Sequence, residues 1–162
     1  MRTESIAQLR AKAQNKPRRI VVAEDESDIR ELLKELLEMD LENVEVDARP
    51  DGTSALRAIS TKAPDLIITD YKMPGLNGLE LLTQARLMYP TIPGILITAY
   101  PDLDVALRAI NDARVQSFLQ KPIDPLQVVR VVGGILAASD KRPETSGASS
   151  IRSVESQRQP RF

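Results

Sequence analysis

The chain contains no cysteine and no histidine, and only 3% of its residues are aromatic. The lack of cysteine excludes disulfides, thiolate metal sites and a thiol nucleophile, and the lack of histidine excludes catalysis by an imidazole base. The first residues, MRTESIAQLRAKAQ, lack the apolar segment of a signal peptide, and nowhere do eighteen apolar residues follow one another. We therefore expect a cytoplasmic protein that does not insert into membranes.

Charge of one sign is also scarce overall, since the formal net charge of the 162 residues is -1. Residues 1–19 nevertheless hold six basic residues and one acidic residue, and residues 139–162 hold five basic and three acidic ones. Residues 20–138 keep 11 of the 22 basic and 19 of the 23 acidic residues, a net charge of about -8. This acidic body makes direct binding to nucleic acid unexpected.

Five short apolar runs recur along the chain, at residues 20–23, 44–46, 66–69, 94–98 and 117–119. The longer stretches between them have helical spacing, and runs such as DLIIT and GILIT are typical of strands buried on both faces. The alternation predicts an α/β fold, a doubly wound five-stranded parallel sheet. The pattern does not give the strand order, for which we adopt the flavodoxin-like order 2-1-3-4-5.

Three helices have a predicted buried face. The first should bury Leu32, Leu33, Leu36, Leu37 and Met39, the second Leu79, Leu81, Leu82, Ala85 and Met88, and the third Leu126, Val129, Val132 and Leu136. The third contains VVRVVGGILAA, which also fits a hairpin around its two glycines. We favour a helix because Asp124 is a good N-cap and Pro125 takes the first helical position.

The composition divides the chain into three parts. Residues 1–17 form a basic extension in which residues 3–14 have a helical pattern too brief to be decisive, and residues 18–138 hold the predicted domain. Residues 139–162 are rich in Ser, Arg and Gln, and we expect them to be disordered. We expect no effector domain after the predicted domain.

Chemically distinctive residues follow four of the five runs. Glu24 and Asp25 follow the first, Asp70 the third, Thr98 ends the fourth, and Lys121 comes shortly after the fifth. The carboxyl ends of parallel strands meet at one edge of the sheet, so these side chains should converge. Clustered carboxylates repel one another unless a cation neutralises them, and Mg²⁺ prefers such oxygen ligands. Taken alone, each acid is more typical of a helix cap or a solvated carboxylate, Thr98 is typical of ordinary β-propensity, and Lys121 indicates little.

Over residues 18–138 the sequence resembles the receiver domains of two-component response regulators. The motifs that carry the resemblance are VVAEDES, LIITDYKMPGLNGLELL, ILITAY and SFLQKP. The resemblance implies that Asp70 is the phosphoacceptor, that Thr98 and Lys121 contact the phosphoryl group, and that Thr98 and Phe118 form a conformational switch.

The same resemblance implies a Mg²⁺ site. Its ligands would be Asp25, Asp70 and the backbone carbonyl of Lys72, with Glu24 contributing through water. Glu24 stands where Asp is commoner in the family. Lys72 and Tyr100 lie two residues after Asp70 and Thr98, and we expect them to hinder the attacking water and lengthen the phosphorylated lifetime.

The resemblance also implies partners. Asp70 would receive its phosphoryl group from a sensor histidine kinase or a phosphotransfer protein. The signal would pass to a downstream protein, whose identity the sequence does not give, through the fourth helix, fifth strand and fifth helix, roughly residues 102–138. The sequence leaves open whether the phosphorylated form is a homodimer.

Three other protein classes agree with parts of this sequence. A phosphatase of the haloacid dehalogenase type needs a second Asp where this chain has Lys72, and a nucleotide or flavin binder needs a different loop from AEDESD, which repels phosphate without a metal. The third is a receiver-like interaction module that binds partners independently of phosphorylation. The intact set of site residues argues against that module.

Overall fold

A computed structural model of the chain describes residues 5–99 and 102–141. Five strands alternate with six helices in these residues, and the elements are α1 Ile6–Gln14, β1 Arg18–Ala23, α2 Ser27–Asp40, β2 Val44–Arg49, α3 Gly52–Thr61, β3 Leu66–Asp70, α4 Gly78–Met88, β4 Gly94–Thr98, α5 Leu103–Asn111, β5 Ser117–Gln120 and α6 Pro125–Asp140. The predicted alternation is confirmed. Because α1 precedes the first strand, the predicted partner face comprises α5, β5 and α6.

The strands form one parallel sheet with the order β2-β1-β3-β4-β5. In its register, Ile20 lies beside Leu66, and Ile68 lies beside Ile95. The flavodoxin-like order is therefore confirmed. It places the carboxyl ends of β1, β3, β4 and β5 next to one another at one edge of the sheet.

Helices cover both faces of this sheet, which explains why the central strands β3 and β4 are buried at every position. Alternate side chains of β1 point to opposite layers: Ile20 and Val22 face α2 and α6, and Val21 and Ala23 face α3, α4 and α5. Fully burying one such aliphatic side chain contributes about 1.5–3 kcal/mol. Burial of this kind on both sides holds the strand ends, and the residues after them, in fixed positions.

The helix over residues 125–140 is confirmed, and the hairpin alternative is wrong. Its buried face, however, consists of Val128, Val132 and Leu136, whereas Leu126 is 75% exposed and Val129 is only partly buried. The spacing i, i+4, i+8 follows one stripe of an α-helix, and Leu126 lies off that stripe. The predicted face was thus correct at two of its four positions.

The two other predicted faces are also narrower than expected. In α2, Leu33 and Leu37 are buried, Leu36 is partly buried, and Leu32 and Met39 are exposed. In α4 the four residues from Leu79 to Ala85 in the predicted set are buried, and Met88 is partly exposed. A helix buries about a third of its circumference against a sheet, so apolar residues beyond that stripe remain in contact with water.

The chain ends differ in part from the prediction. The basic extension contains α1, whose N-cap Ser5 forms a capping box with Gln8. At the other end, Ser139 and Asp140 belong to α6 rather than to a disordered tail, since Asp140 pairs with Arg18 of β1. Residues 142–162 lie outside the described residues, so the predicted disorder there stays a prediction. No helix in the described ranges is long and apolar enough to cross a membrane.

Candidate functional site

The predicted site residues converge at the carboxyl edge of the sheet. Asp70 and Thr98 are the last residues of the neighbouring strands β3 and β4, and Glu24 and Lys121 directly follow β1 and β5. One carboxylate oxygen from each of Glu24, Asp25 and Asp70 lies within 4.8 Å of the others. The sheet order therefore brings together acids that are separated by 45 positions in sequence.

The three carboxylates have unequal access to solvent. Glu24 is 0% exposed and Asp70 is 5% exposed, whereas Asp25 is exposed. Within the part of the chain that the structure describes, Oε2 of Glu24 is a buried atom that accepts no hydrogen bond. A buried oxygen that accepts no hydrogen bond, beside two further carboxylates, fits a hard divalent cation that takes oxygen ligands.

Lys121 supplies a positive charge to this acidic cluster. Its Nζ donates hydrogen bonds to Asp70 Oδ2 at 3.2 Å, to Glu26 Oε1 at 3.0 Å and to Glu24 Oε1 at 3.4 Å. It also lies 3.2 Å from Oε2 of Glu24, as an ion pair. Lys121 thus contacts three carboxylates, and the carboxylate of Asp25 lies beside two of them. One ammonium group among four carboxylates leaves an excess of negative charge.

The pKa values reflect this excess. Burial raises the pKa of Glu24 from its ordinary 4.5 to about 7, with a further increase from the charge of Asp70. Burial also raises the pKa of Asp70, although Lys121 acts in the opposite direction. Burial alone would lower the pKa of Lys121, but its carboxylate partners outweigh this effect and raise it. The lysine therefore stays charged, and the buried carboxylates are costly to ionise without a cation.

The backbone around the acids is held by specific contacts. Arg30 of α2 donates to the carbonyl oxygens of Glu24 at 2.8 Å and Asp25 at 3.3 Å, and the backbone N–H of Glu26 donates to Oε1 of Glu24 at 3.1 Å. The extra methylene of Glu24, compared with Asp, thus does not carry the carboxylate into solvent. These contacts fix the loop between β1 and α2.

Gly78 allows the start of α4 to pack directly against the end of β3. A Cβ at this position would lie 2.2 Å from the carbonyl oxygen of Asp70. The N–H of Gly78 donates to the carbonyl of Tyr71, and the N–H of Tyr71 donates to that of Ile97. The backbone that carries Asp70 is thereby bonded to both α4 and β4. Met73, in the same loop, is buried in the hydrophobic core, where it packs against the layer of α3, α4 and α5.

The predicted switch residues, Thr98 and Phe118, lie on the neighbouring strands β4 and β5. Thr98 is buried, and its carbonyl accepts a hydrogen bond from the N–H of Lys121. Phe118 is partly buried and packs against the core layer of α3, α4 and α5. The peptide bond between Lys121 and Pro122 is cis.

The predicted roles of Lys72 and Tyr100 stay predictions. Lys72 lies in the loop after β3 with an exposed side chain, and its backbone carbonyl as a metal ligand stays a prediction. Tyr100 lies outside the described residues. Sequence reasoning gave no role to Glu26 or Arg30, both of which contact the site. The acidic motif AEDES did contain Glu26, but nothing in the sequence indicated that its side chain reaches Lys121.

Known proteins are similar to this chain in sequence and in fold. Residues 20–132 match the response regulator receiver domain. The chain is 40% identical over 81 residues to the DNA-binding transcriptional regulator NtrC of Klebsiella pneumoniae. The aligned segment covers 50% of this chain but only 17% of that regulator. The chain is also 36% identical over 119 residues to an uncharacterized 14.6 kDa protein of Leptolyngbya boryana, covering 70% of this chain and 86% of that protein.

Solved structures agree. A signal receiver domain of an HD domain-containing protein from Pseudomonas fluorescens has a TM-score of 0.73 and 25% identity, covering 78% of this chain and 100% of that domain. A response regulator receiver domain protein from Clostridium thermocellum has a TM-score of 0.69 and 30% identity, covering 76% of this chain and 97% of that protein. The match over residues 20–132 and these likenesses show that the chain belongs to the response regulator receiver domain family.

Proposed function

We propose that this receiver domain accepts a phosphoryl group on Asp70 from a sensor histidine kinase or a phosphotransfer protein. The observation that carries the proposal is the position of the Asp70 carboxylate, which contacts the ammonium of Lys121 and forms an acidic group with Glu24 and Asp25. A nucleophile in this position has one cation in contact with it and the ligands for a second cation beside it. Histidine kinases and phosphotransfer proteins are the partners of this family.

In the proposed reaction, a carboxylate oxygen of Asp70 attacks the phosphorus of a phosphohistidine. The new O–P bond forms as the N–P bond breaks, and the imidazole nitrogen keeps the electron pair. Lys121 and the hydroxyl of Thr98 would donate hydrogen bonds to the phosphoryl oxygens. The protein contributes positioning and charge neutralisation, which are the main sources of catalysis in phosphoryl transfer.

The residues present also fit a bound Mg²⁺. Glu24, Asp25, Asp70 and the backbone carbonyl of Lys72 would hold it. When bound, it would neutralise the carboxylates and the charge of the incoming phosphoryl group. The buried oxygen Oε2 of Glu24, which accepts no hydrogen bond, and the raised pKa values of Glu24 and Asp70 support this assignment.

We further propose that output passes through the face formed by α5, β5 and α6. Thr98 ends β4, which lies between β3 and β5, and Phe118 belongs to β5, so movement of the threonine toward a phosphoryl group would leave space for the aromatic ring. Ile110 and Leu126 are exposed apolar residues on α5 and α6. A downstream protein, or a second phosphorylated copy, would bind there.

Incubation with acetyl phosphate and Mg²⁺, followed by mass spectrometry, tests the proposal. The wild type should gain one phosphoryl group, and Asp70→Asn should gain none. Asp112→Asn, an exposed Asp on the C-terminal end of α5, serves as the matched control and should behave as the wild type. Absence of an adduct on the wild type with either acetyl phosphate or a phosphohistidine donor would favour a module that binds independently of phosphorylation.

A further inference from the structure

The ammonium of Lys121 has all three of its N–H groups engaged. They donate to Glu24, Glu26 and Asp70, and the contact with Glu26 is the shortest at 3.0 Å. An ammonium group has three donors and no acceptor. A phosphoryl oxygen can therefore bind Lys121 only if one of these hydrogen bonds is given up.

Glu26 is the partner that can be released at least cost. Its side chain is 61% exposed, whereas those of Glu24 and Asp70 are 0% and 7% exposed. A released Glu26 would be solvated by water, but a released Glu24 would leave an unpaired charge inside the protein. Removing a partner is far cheaper at the surface than in the interior.

The position of Glu26 on its helix supports a role at Lys121. Glu26 is the N-cap residue of α2, yet its side chain makes no capping hydrogen bond. In α4 and α6, by contrast, the N-cap residues Asn77 and Asp124 cap their helices. The longer Glu side chain bypasses the helix N–H groups and reaches Lys121 instead.

The geometry also places Glu26 close to the reacting atom. Glu26 Oε1 and Asp70 Oδ2 contact the same nitrogen at 3.0 and 3.2 Å, so these two oxygens are at most about 6 Å apart. A phosphoryl group would replace the single negative charge of the Asp70 carboxylate with about two negative charges in this space. Repulsion and the competition for Lys121 then act in the same direction, and both displace Glu26.

We propose that Glu26 is a positioning residue that holds Lys121 in the unphosphorylated protein and must release it before the phosphoryl group can bind. This inference rests on the proposed function of Asp70. The Glu26 contact stabilises only the starting state, so it slows phosphorylation. It is absent from the phosphorylated protein and therefore does not affect the hydrolysis rate.

The test compares three variants of the full chain. Glu26→Gln removes the charge and weakens the contact. Glu26→Asp keeps the charge but shortens the side chain, and Asp at an N-cap turns to the helix N–H groups. Glu31→Gln removes one charge from an exposed site one turn further along α2 and is the control. Initial rates of labelling by acetyl phosphate with Mg²⁺, and decay rates after removal of the donor, are measured for each.

We expect both Glu26 variants to be labelled about two- to fivefold faster than the wild type, which is the range for an exposed ion pair. Their decay rates, and both rates of the Glu31 variant, should match the wild type. Wild-type labelling by Glu26→Asp, or a decay rate that rises as much as the labelling rate, would overturn the role of Glu26. A wild type that is not labelled at all would overturn the proposed function itself.

Discussion

Glu24→Gln should stabilise the metal-free protein in a manner that depends on pH. Glu24 is fully buried, and burial raises the pKa of its carboxyl from 4.5 to about 7. The unfolded chain loses this proton near pH 4.5, and the folded protein keeps it to about pH 7. As pH rises through that window the unfolded chain binds fewer protons, so the free energy of unfolding falls. The difference between the two pKa values corresponds to about 3 kcal/mol.

The variant removes this loss because Gln cannot ionise. Its amide oxygen can still accept the hydrogen bond that the N–H of Glu26 donates to Oε1 of Glu24. We therefore expect Glu24→Gln to be about 3 kcal/mol more stable than the wild type at pH 8 and close to it at pH 5. Urea unfolding followed by far-ultraviolet circular dichroism, with EDTA present, measures the free energy of unfolding at each pH.

The control is Glu31→Gln, which removes the charge of an exposed glutamate on α2. It should stay within about 0.5 kcal/mol of the wild type at both pH values. Adding Mg²⁺ should narrow the gap at pH 8, since a cation at 100 times its Kd stabilises the wild type by about 2.7 kcal/mol. A gap between Glu24→Gln and the wild type that does not widen from pH 5 to pH 8 would refute the reasoning.

Four further predictions each concern one substitution. Gly134→Ala should stabilise α6 by about 1 kcal/mol in thermal unfolding, because an added Cβ meets nothing within 4 Å. Gly78→Ala should instead destabilise the protein by about 1–3 kcal/mol, because its Cβ would lie 2.2 Å from the carbonyl oxygen of Asp70, the last residue of β3. Arg19→Met should cost about 3 kcal/mol in urea unfolding, because Arg19 is 9% exposed and pairs with Asp47. Lys72→Ala should accelerate decay of the phosphorylated protein, since its side chain is exposed beside the site; an unchanged or slower decay would contradict this.

The sequence by itself was sufficient to predict the alternation of elements and most of the site. Strands buried between two helical layers are apolar over most of their length, so runs such as GILIT stand out from the helices around them. Polar residues that follow such runs lie at the carboxyl edge of a parallel sheet wherever the strands are placed. Glu24, Asp70, Thr98 and Lys121 could therefore be assigned to one site before their distances were known.

Only the tertiary structure decided which side chains are buried and which contacts they make. Leu126 and Arg19 show this in opposite ways: the leucine, predicted to be buried, is exposed, and the arginine, one of the basic residues counted over 1–19, is buried in β1. Composition does not give the rotation of a helix against a sheet, or the acid that faces a given arginine. The contact between Glu26 and Lys121 joins residues 95 positions apart, and it depends on the sheet order and on how α2 begins. Such contacts arise from packing in three dimensions, so local sequence patterns do not reveal them.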